Sequence, residues 1–228
     1  MVPRLLSFAG MLLFLATTLS AGAGEVIDRI VATVNGHVIL LSDWEDSLRY
    51  EAFSSGRPLD RMTPDDRKSA LDHLIDQELL REQLKDSDVL HPSSEDVAGR
   101  VAEIRKQFPE AETELGWRRL LDSYRLSEEN LKNRVAAQLD LMRLVDARLR
   151  PSVTVDSKSI ESYYSEELLP QLRQSGGQNV PLADVTAKIK ELLTQKKISQ
   201  LLTAWLQDLR AGSEIRAELT ARPGGRNQ

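Results

Sequence analysis

The sequence predicts a mainly α protein: a multi-helix domain with a small β-hairpin that a C-terminal strand completes. Three observations carry this prediction. Apolar residues recur at three- and four-residue steps over most of the chain, the signature of amphipathic helices. Two short β-branched runs, Ile27–Val34 and His37–Leu41, flank Asn35-Gly36, a dipeptide that favours the left-handed angles of a tight hairpin turn. Near the other end, Ile215, Ala217 and Leu219 alternate with Arg216 and Glu218 and read as a further strand. A lone hairpin is marginal in water. The last strand is therefore expected to pair with the first two and close the chain on itself.

The elements follow in order. Arg4, an apolar run from Leu5 to Leu19 and the small residues Ala21-Gly22-Ala23 make a three-part export signal, with cleavage expected after Ala23. The run is short for a bilayer, which needs ~20 residues, so no stable membrane insertion is expected after cleavage. Past the hairpin, Ser42 and Glu45 fit a capping box that opens the first helix, which fades at Ser54-Ser55-Gly56. Thr63-Pro64-Asp65-Asp66 opens the second, with Leu71, Leu74, Ile75 and Leu79 at helical spacing. His91-Pro92 breaks the chain. Ser93 caps the third helix, whose stripe is Val97, Val101, Ile104 and Phe108. A fourth covers Glu112 to Asp122. A fifth, capped by Ser127, carries Leu131, Val135, Leu139, Met142, Val145 and Leu149 at steps of three or four and stops at Pro151. Asp156 caps a sixth that runs toward Leu169-Pro170. The stretch Gln174–Leu182, with Gly176-Gly177, is uncharged and helix-breaking. After Pro181 a long helix runs to about Arg210, about 45 Å at 1.5 Å per residue.

Composition narrows the chemistry. With 30 Lys and Arg against 35 Asp and Glu, the chain has no basic footprint, and nucleic acid is not an expected partner. There is no cysteine, which excludes thiol catalysis, thiolate metal sites and disulfides. The histidines are His37, His73 and His91. None has ligand spacing such as H-E-x-x-H, and each reads as a surface or structural residue. The acidic pairs Asp65-Asp66 and Glu128-Glu129 suit helix starts, and Glu166-Glu167 suits a solvated face. Gly176-Gly177 is not followed by Lys-Ser or Lys-Thr, so it is no phosphate loop. Neither catalytic residues nor a cofactor or metal site are expected.

Aromatic side chains make up only 5% of the chain. Trp44, Phe53, Trp117, Tyr124, Tyr163 and Trp205 are therefore the candidates for holding apolar segments of another polypeptide, since aromatic rings offer large contact area. Core burial is the plainer reading of each.

The order of these motifs resembles a known family. "IDRIVATVNGHVILLSDWEDSLR" is similar to the opening of the SurA-like periplasmic chaperones and related exported parvulin-type isomerases. "ALDHLIDQELLREQ" resembles the family's second helix. "YRLSEENLKNRVAAQLDLMRLVDARLRPSVTVDSKSIESYY" resembles its fifth helix and the exit toward the isomerase domain. "PLADVTAKIKELLTQKKISQLLTAWLQDLRAGSEIRAEL" is similar to the segment that follows that domain. Where the family's parvulin module stands, this chain has only Gln171 to Val180.

The resemblance implies a signal peptide at 1–23, a helical chaperone domain at 24–150, and a linker helix and bridge at 151–180. A helix and strand at 181–220 would pack back on the chaperone domain, and 221–228 would be a tail. It also implies an ATP-independent periplasmic holdase for unfolded or extended exported proteins, such as outer-membrane protein precursors, without prolyl isomerase activity. The alternative is a dedicated periplasmic subunit with one fixed partner. The C-terminal helix could also cross to a second copy, giving a domain-swapped homodimer.

Overall fold

The computed structural model describes residues 28–217. The expected signal segment 1–23, its cleavage site, the strand ends at Ile27 and Leu219, and the tail 221–228 lie outside the described residues.

The chain starts with the expected hairpin: β1 (Ile30–Val34) and β2 (His37–Leu40). Asn35 and Gly36 take φ of 50° and 85°. Two successive positive φ values define the turn whose twist matches the strands. Near the far end, β3 (Ile215–Ala217) pairs antiparallel with β1, so the sheet order is β2-β1-β3. The asparagine of the turn also fastens the C-terminal segment. Its backbone N–H donates to Glu214 O at 2.9 Å. Its side chain accepts from Glu214 N at 2.8 Å and donates to Ser213 Oγ at 3.2 Å and Glu82 Oε2 at 2.7 Å.

Helix α1 (Leu41–Ser54) follows β2 directly, and the expected Ser42–Glu45 box does not form. The cap lies two residues earlier: Asp43 accepts from the Leu40 N–H at 3.0 Å. Ser42 instead turns to Asp28, which accepts from its backbone N–H at 3.3 Å and from its hydroxyl. These bonds, the hydroxyl's first, hold the Asp28 carboxyl below its ordinary pKa. The strand runs into the helix without a turn, and Asp28 claims the only hydroxyl that could have capped it.

Helices α2 (Pro64–Lys85) and α3 (Ser94–Arg105) begin as expected. Thr63 pairs with Asp66, and Ser93 with Asp96, in reciprocal capping boxes. The fourth helix is shorter than expected. A 3₁₀ turn at Pro109–Glu112 precedes α4 (Glu114–Ser123), which Thr113 caps by accepting from Gly116 N at 3.0 Å. Only glycine fits at 116, because a Cβ there would stand 1.9 Å from Glu110 O. Helix α5 (Glu128–Leu149) starts at its Ser127 cap.

The sixth helix does not stop at Pro170. Helix α6 (Ser157–Tyr163) passes through a π-helical stretch, Tyr164–Leu168, into α7 (Leu169–Gln174). A proline removes an N–H and crowds the carbonyl four residues back. The wider π turn just before it gives that carbonyl room, so the rod continues. The bridge between α7 and α8 (Leu182–Ala211) is Ser175–Pro181, held at one end by Gly177 N–H to Leu172 O (2.8 Å) and at the other by Tyr164 OH to Val180 O (2.6 Å).

Two apolar cores result. One joins the sheet to α1 and α2 through Val31, Val34, Ile39, Trp44, Leu71, Ile75 and Leu79, and Leu209 and Ile215 pack against it. The other lies among the end of α1, α3, α4 and α5, around Phe53, Trp117 and Leu131. Each fully buried side chain of this size contributes about 1.5–3 kcal/mol. Helix α8 lies along α2, α5 and α6. Arg150 at the end of α5 clamps it by a two-pronged pair with Glu191, both contacts at 3.1 Å.

Candidate functional site

Four of the six aromatic candidates are core residues. Phe53 is fully buried, with the rings of Phe108, Tyr124 and Trp117 at 5.0, 5.6 and 6.1 Å. Trp117 and Tyr124 share that cluster. Trp44 belongs to the other core and spends its indole N–H on Arg67 O at 2.7 Å. These four offer no surface to a second polypeptide. The reason is packing: each sits on the face of a short helix that meets another helix, and large rings fill such junctions best. Tyr163 and Trp205 are half-buried. The guanidinium of Arg148 covers the Trp205 ring at 4.6 Å.

The open apolar surface lies elsewhere. A cleft of about 1800 Å³ runs between α2, α5 and α8, with β2 and α1 at one end. Pockets for small molecules are usually ~300–1,000 Å³, so this one is sized for something longer. Met142, Val38 and Leu90 line it at 57%, 47% and 82% exposure. Met142 belongs to the apolar repeat of α5, yet its side chain is exposed. Helix α5 packs against α3, α2 and α8, and Met142 lies on the part of its surface that lines the cleft. Leu90 stands in the break before His91-Pro92. A large apolar residue in a polar break was a legible signal that periodicity, which sees only helices, passes over.

Polar groups are interleaved with this apolar surface. Tyr50 and Arg134 mark the α1 end of the cleft. The Arg134 guanidinium lies 5.2 Å from the Tyr50 ring centre, and the Tyr50 hydroxyl donates to Gln138 Oε1 at 3.0 Å. Burial pushes the Arg134 pKa down and the Tyr50 pKa up. Both are thus partly desolvated groups with polar atoms at the cleft surface. Arg143 holds the rim by donating to Leu90 O at 3.0 Å and pairing with Asp96 at 2.9 Å. The result is a long, open, mostly apolar trough with charged edges and, among the described residues, no nucleophile–base pair built from serine and histidine within it.

Each histidine meets a carboxylate of a different element: His73 and Glu51 at 2.9 Å, His91 and Asp140 at 2.8 Å, His37 and Glu78 at 3.6 Å. The first joins α2 to α1, and the second ties the break before α3 to α5. The third is different, because Glu82 also converges on it. No metal ligands were expected from linear spacing, yet His37, Glu78 and Glu82 each bring a ligand atom within 4.8 Å of the others. The hairpin and α2 bring them together across the fold, which no local motif records.

A family model described as a SurA-like N-terminal domain matches residues 4–145. The chain belongs to the SurA-like N-terminal domain family. No curated protein matches it, and no parvulin domain is matched. The match ends within α5, so α6, α7, α8 and β3 lie beyond it, although β3 completes the sheet and α8 lines one wall of the cleft. A SurA-like chain is of a chaperone type, and the trough fits that class: it offers broad apolar area with little specific geometry.

Proposed function

We propose that this SurA-like chain is a periplasmic, ATP-independent holdase that binds unfolded or extended exported polypeptides, outer-membrane protein precursors among them, and does not isomerise prolines. The cleft between α2, α5 and α8 carries this reading. It is too long for a small ligand, and it leaves Val38, Leu90 and Met142 unburied in a chain of a chaperone family. Burying one such side chain against a client contributes about 1.5–3 kcal/mol. Ordering rotamer-rich side chains takes back about 0.5–1.5 kcal/mol each. Binding is then weak at each point and adds up along an extended chain, which suits a carrier that must release its load without nucleotide.

Charged groups at the rim, Arg143 and Asp140 among them, keep the open trough soluble. Where the resemblance would put a parvulin module, the chain has the short bridge Ser175–Pro181, which supports a binding role.

The test is suppression of aggregation. An unfolded outer-membrane β-barrel protein and an unrelated unfolded protein are diluted from urea with and without the full mature chain, and light scattering is followed. Photoreactive side chains at Leu90 and Met142 report contact with each. Suppression and crosslinking with both proteins are expected. Capture of a single periplasmic partner with no suppression would mean a dedicated subunit. Turnover in a proline-isomerisation assay would contradict the reading directly.

A further inference from the structure

We propose that His37, Glu78 and Glu82 form a binding site for a first-row divalent cation of the Zn²⁺ type, which staples the hairpin to α2. Glu78 and Glu82 are one helical turn apart on α2 and present both carboxylates to the same side. His37 opens β2 and faces them. One nitrogen of His37 and one oxygen of each glutamate lie within 4.8 Å of one another.

The His37 Nδ1 to Glu78 Oε1 separation is 3.6 Å. That is too long for a hydrogen bond. It is close to the ligand-to-ligand edge of a tetrahedral zinc site, which for bonds of ~2.0–2.1 Å is roughly 3.4 Å.

Both carboxylates are already oriented by neighbours, as metal-binding carboxylates usually are. Arg81 donates to Glu78 Oε2, which leaves Oε1 aimed at the imidazole. Asn35 Nδ2 donates to Glu82 Oε2 at 2.7 Å. Glu78 is only 6% exposed. A buried carboxylate is costly unless paired, and a cation shared with His37 would add a second partner on its inner oxygen. One imidazole and two carboxylates suit Zn²⁺ and its neighbours in the row. Mg²⁺ and Ca²⁺ prefer all-oxygen shells.

Lys85 is the competitor. Its ammonium lies 3.3 Å from His37 Nε2, where it donates to the ring and leaves the proton on Nδ1. A cation on Nδ1 moves that proton to Nε2 and sends the exposed Lys85 back to solvent. The same site borders Asn35, the residue that fastens Ser213 and Glu214. Occupancy would therefore stiffen the closure of the chain next to the cleft.

Calorimetric titration of the mature chain with Zn²⁺ tests this without reference to chaperone activity. Saturable binding of one ion per chain is expected. Melting should rise by roughly 5–10 °C at a hundredfold excess over Kd. His37→Ala and Glu82→Gln should each abolish both effects; the glutamine still accepts from Asn35, so that variant keeps the local fold. Lys85→Ala should tighten binding by removing the rival cation, and His73→Ala and His91→Ala should leave it unchanged. Absence of stoichiometric binding, or binding that survives in both His37→Ala and Glu82→Gln, overturns the proposal.

Discussion

Replacing Asn35 by alanine should loosen both ends of the chain at once. The residue holds a left-handed backbone, φ 50°, which asparagine tolerates and alanine resists by about 1 kcal/mol. Its side chain makes three hydrogen bonds, to Glu82, Ser213 and Glu214, at 2.7, 3.2 and 2.8 Å. Such bonds are worth about 0.5–1.5 kcal/mol each, and these are exposed, so the low end applies. The total is about 2.5 kcal/mol, or a fall in Tm of roughly 5–10 °C for a chain of this size.

Asn35→Gly separates the two parts. Glycine accepts the turn conformation freely, so this variant should recover ~1 kcal/mol of the loss while still lacking the side-chain bonds. The expected order of stability is parent, then Asn35→Gly, then Asn35→Ala, by urea denaturation followed by circular dichroism. The backbone amide at position 35, which donates to Glu214 O in the parent, should lose protection from exchange in both variants. An alanine variant within ~0.5 kcal/mol of the parent, the range of ordinary surface substitutions, would refute the claim that this turn closes the fold. A glycine variant no better than alanine would refute the backbone part alone.

Further expectations concern the cleft, the caps and the bridge. Met142→Asp and Leu90→Asp should change stability by no more than ~0.5 kcal/mol, since both side chains are exposed, yet weaken suppression of client aggregation; unchanged suppression would move the client surface elsewhere. The Thr63 N–H, then Arg57 and the Thr63 hydroxyl, pull the Asp66 carboxyl down to about 2. An unfolded aspartate titrates near ~3.9. Its folded pKa is the lower, so its contribution is fully present above about pH 4 and is lost as pH falls toward about 2. Acid denaturation curves should show that loss, and Asp66→Asn should flatten it. A flexible insertion between Gln178 and Asn179 that doubles the Ser175–Pro181 bridge should cost only ~0.6 kcal/mol; failure to fold would mean that the bridge positions α8.

The hairpin, the caps of α2, α3 and α5, the long last helix and the closing strand were all legible in the residues, because each rests on local rules. Asn-Gly selects a turn, Thr63 and Ser93 satisfy helix ends, and periodicity marks which residues can share a face. The pairing of β3 with β1 followed from a simple shortage, since two strands alone bury too little. Local rules failed where a residue had two claims on it. Ser42 looks like a cap in sequence, but it answers to Asp28 across the start of the hairpin. Pro170 looks like a helix end, but a π turn ahead of it lets the rod continue.

The candidate site was scarcely legible. Aromatic content points to Trp44, Phe53, Trp117 and Tyr124, and all four are consumed by the cores. By itself the sequence determined which segments are helical or extended, how α2, α3 and α5 begin, and that the last strand belongs with the first two. Only the tertiary structure decided which apolar residues stay in water, because exposure depends on which helix faces find a partner. Helix α5 meets neighbours on some sides and not on the side of Met142. The same holds for His37, Glu78 and Glu82: their meeting is a property of how β2 lies on α2, and spacing along a chain does not encode distance across it.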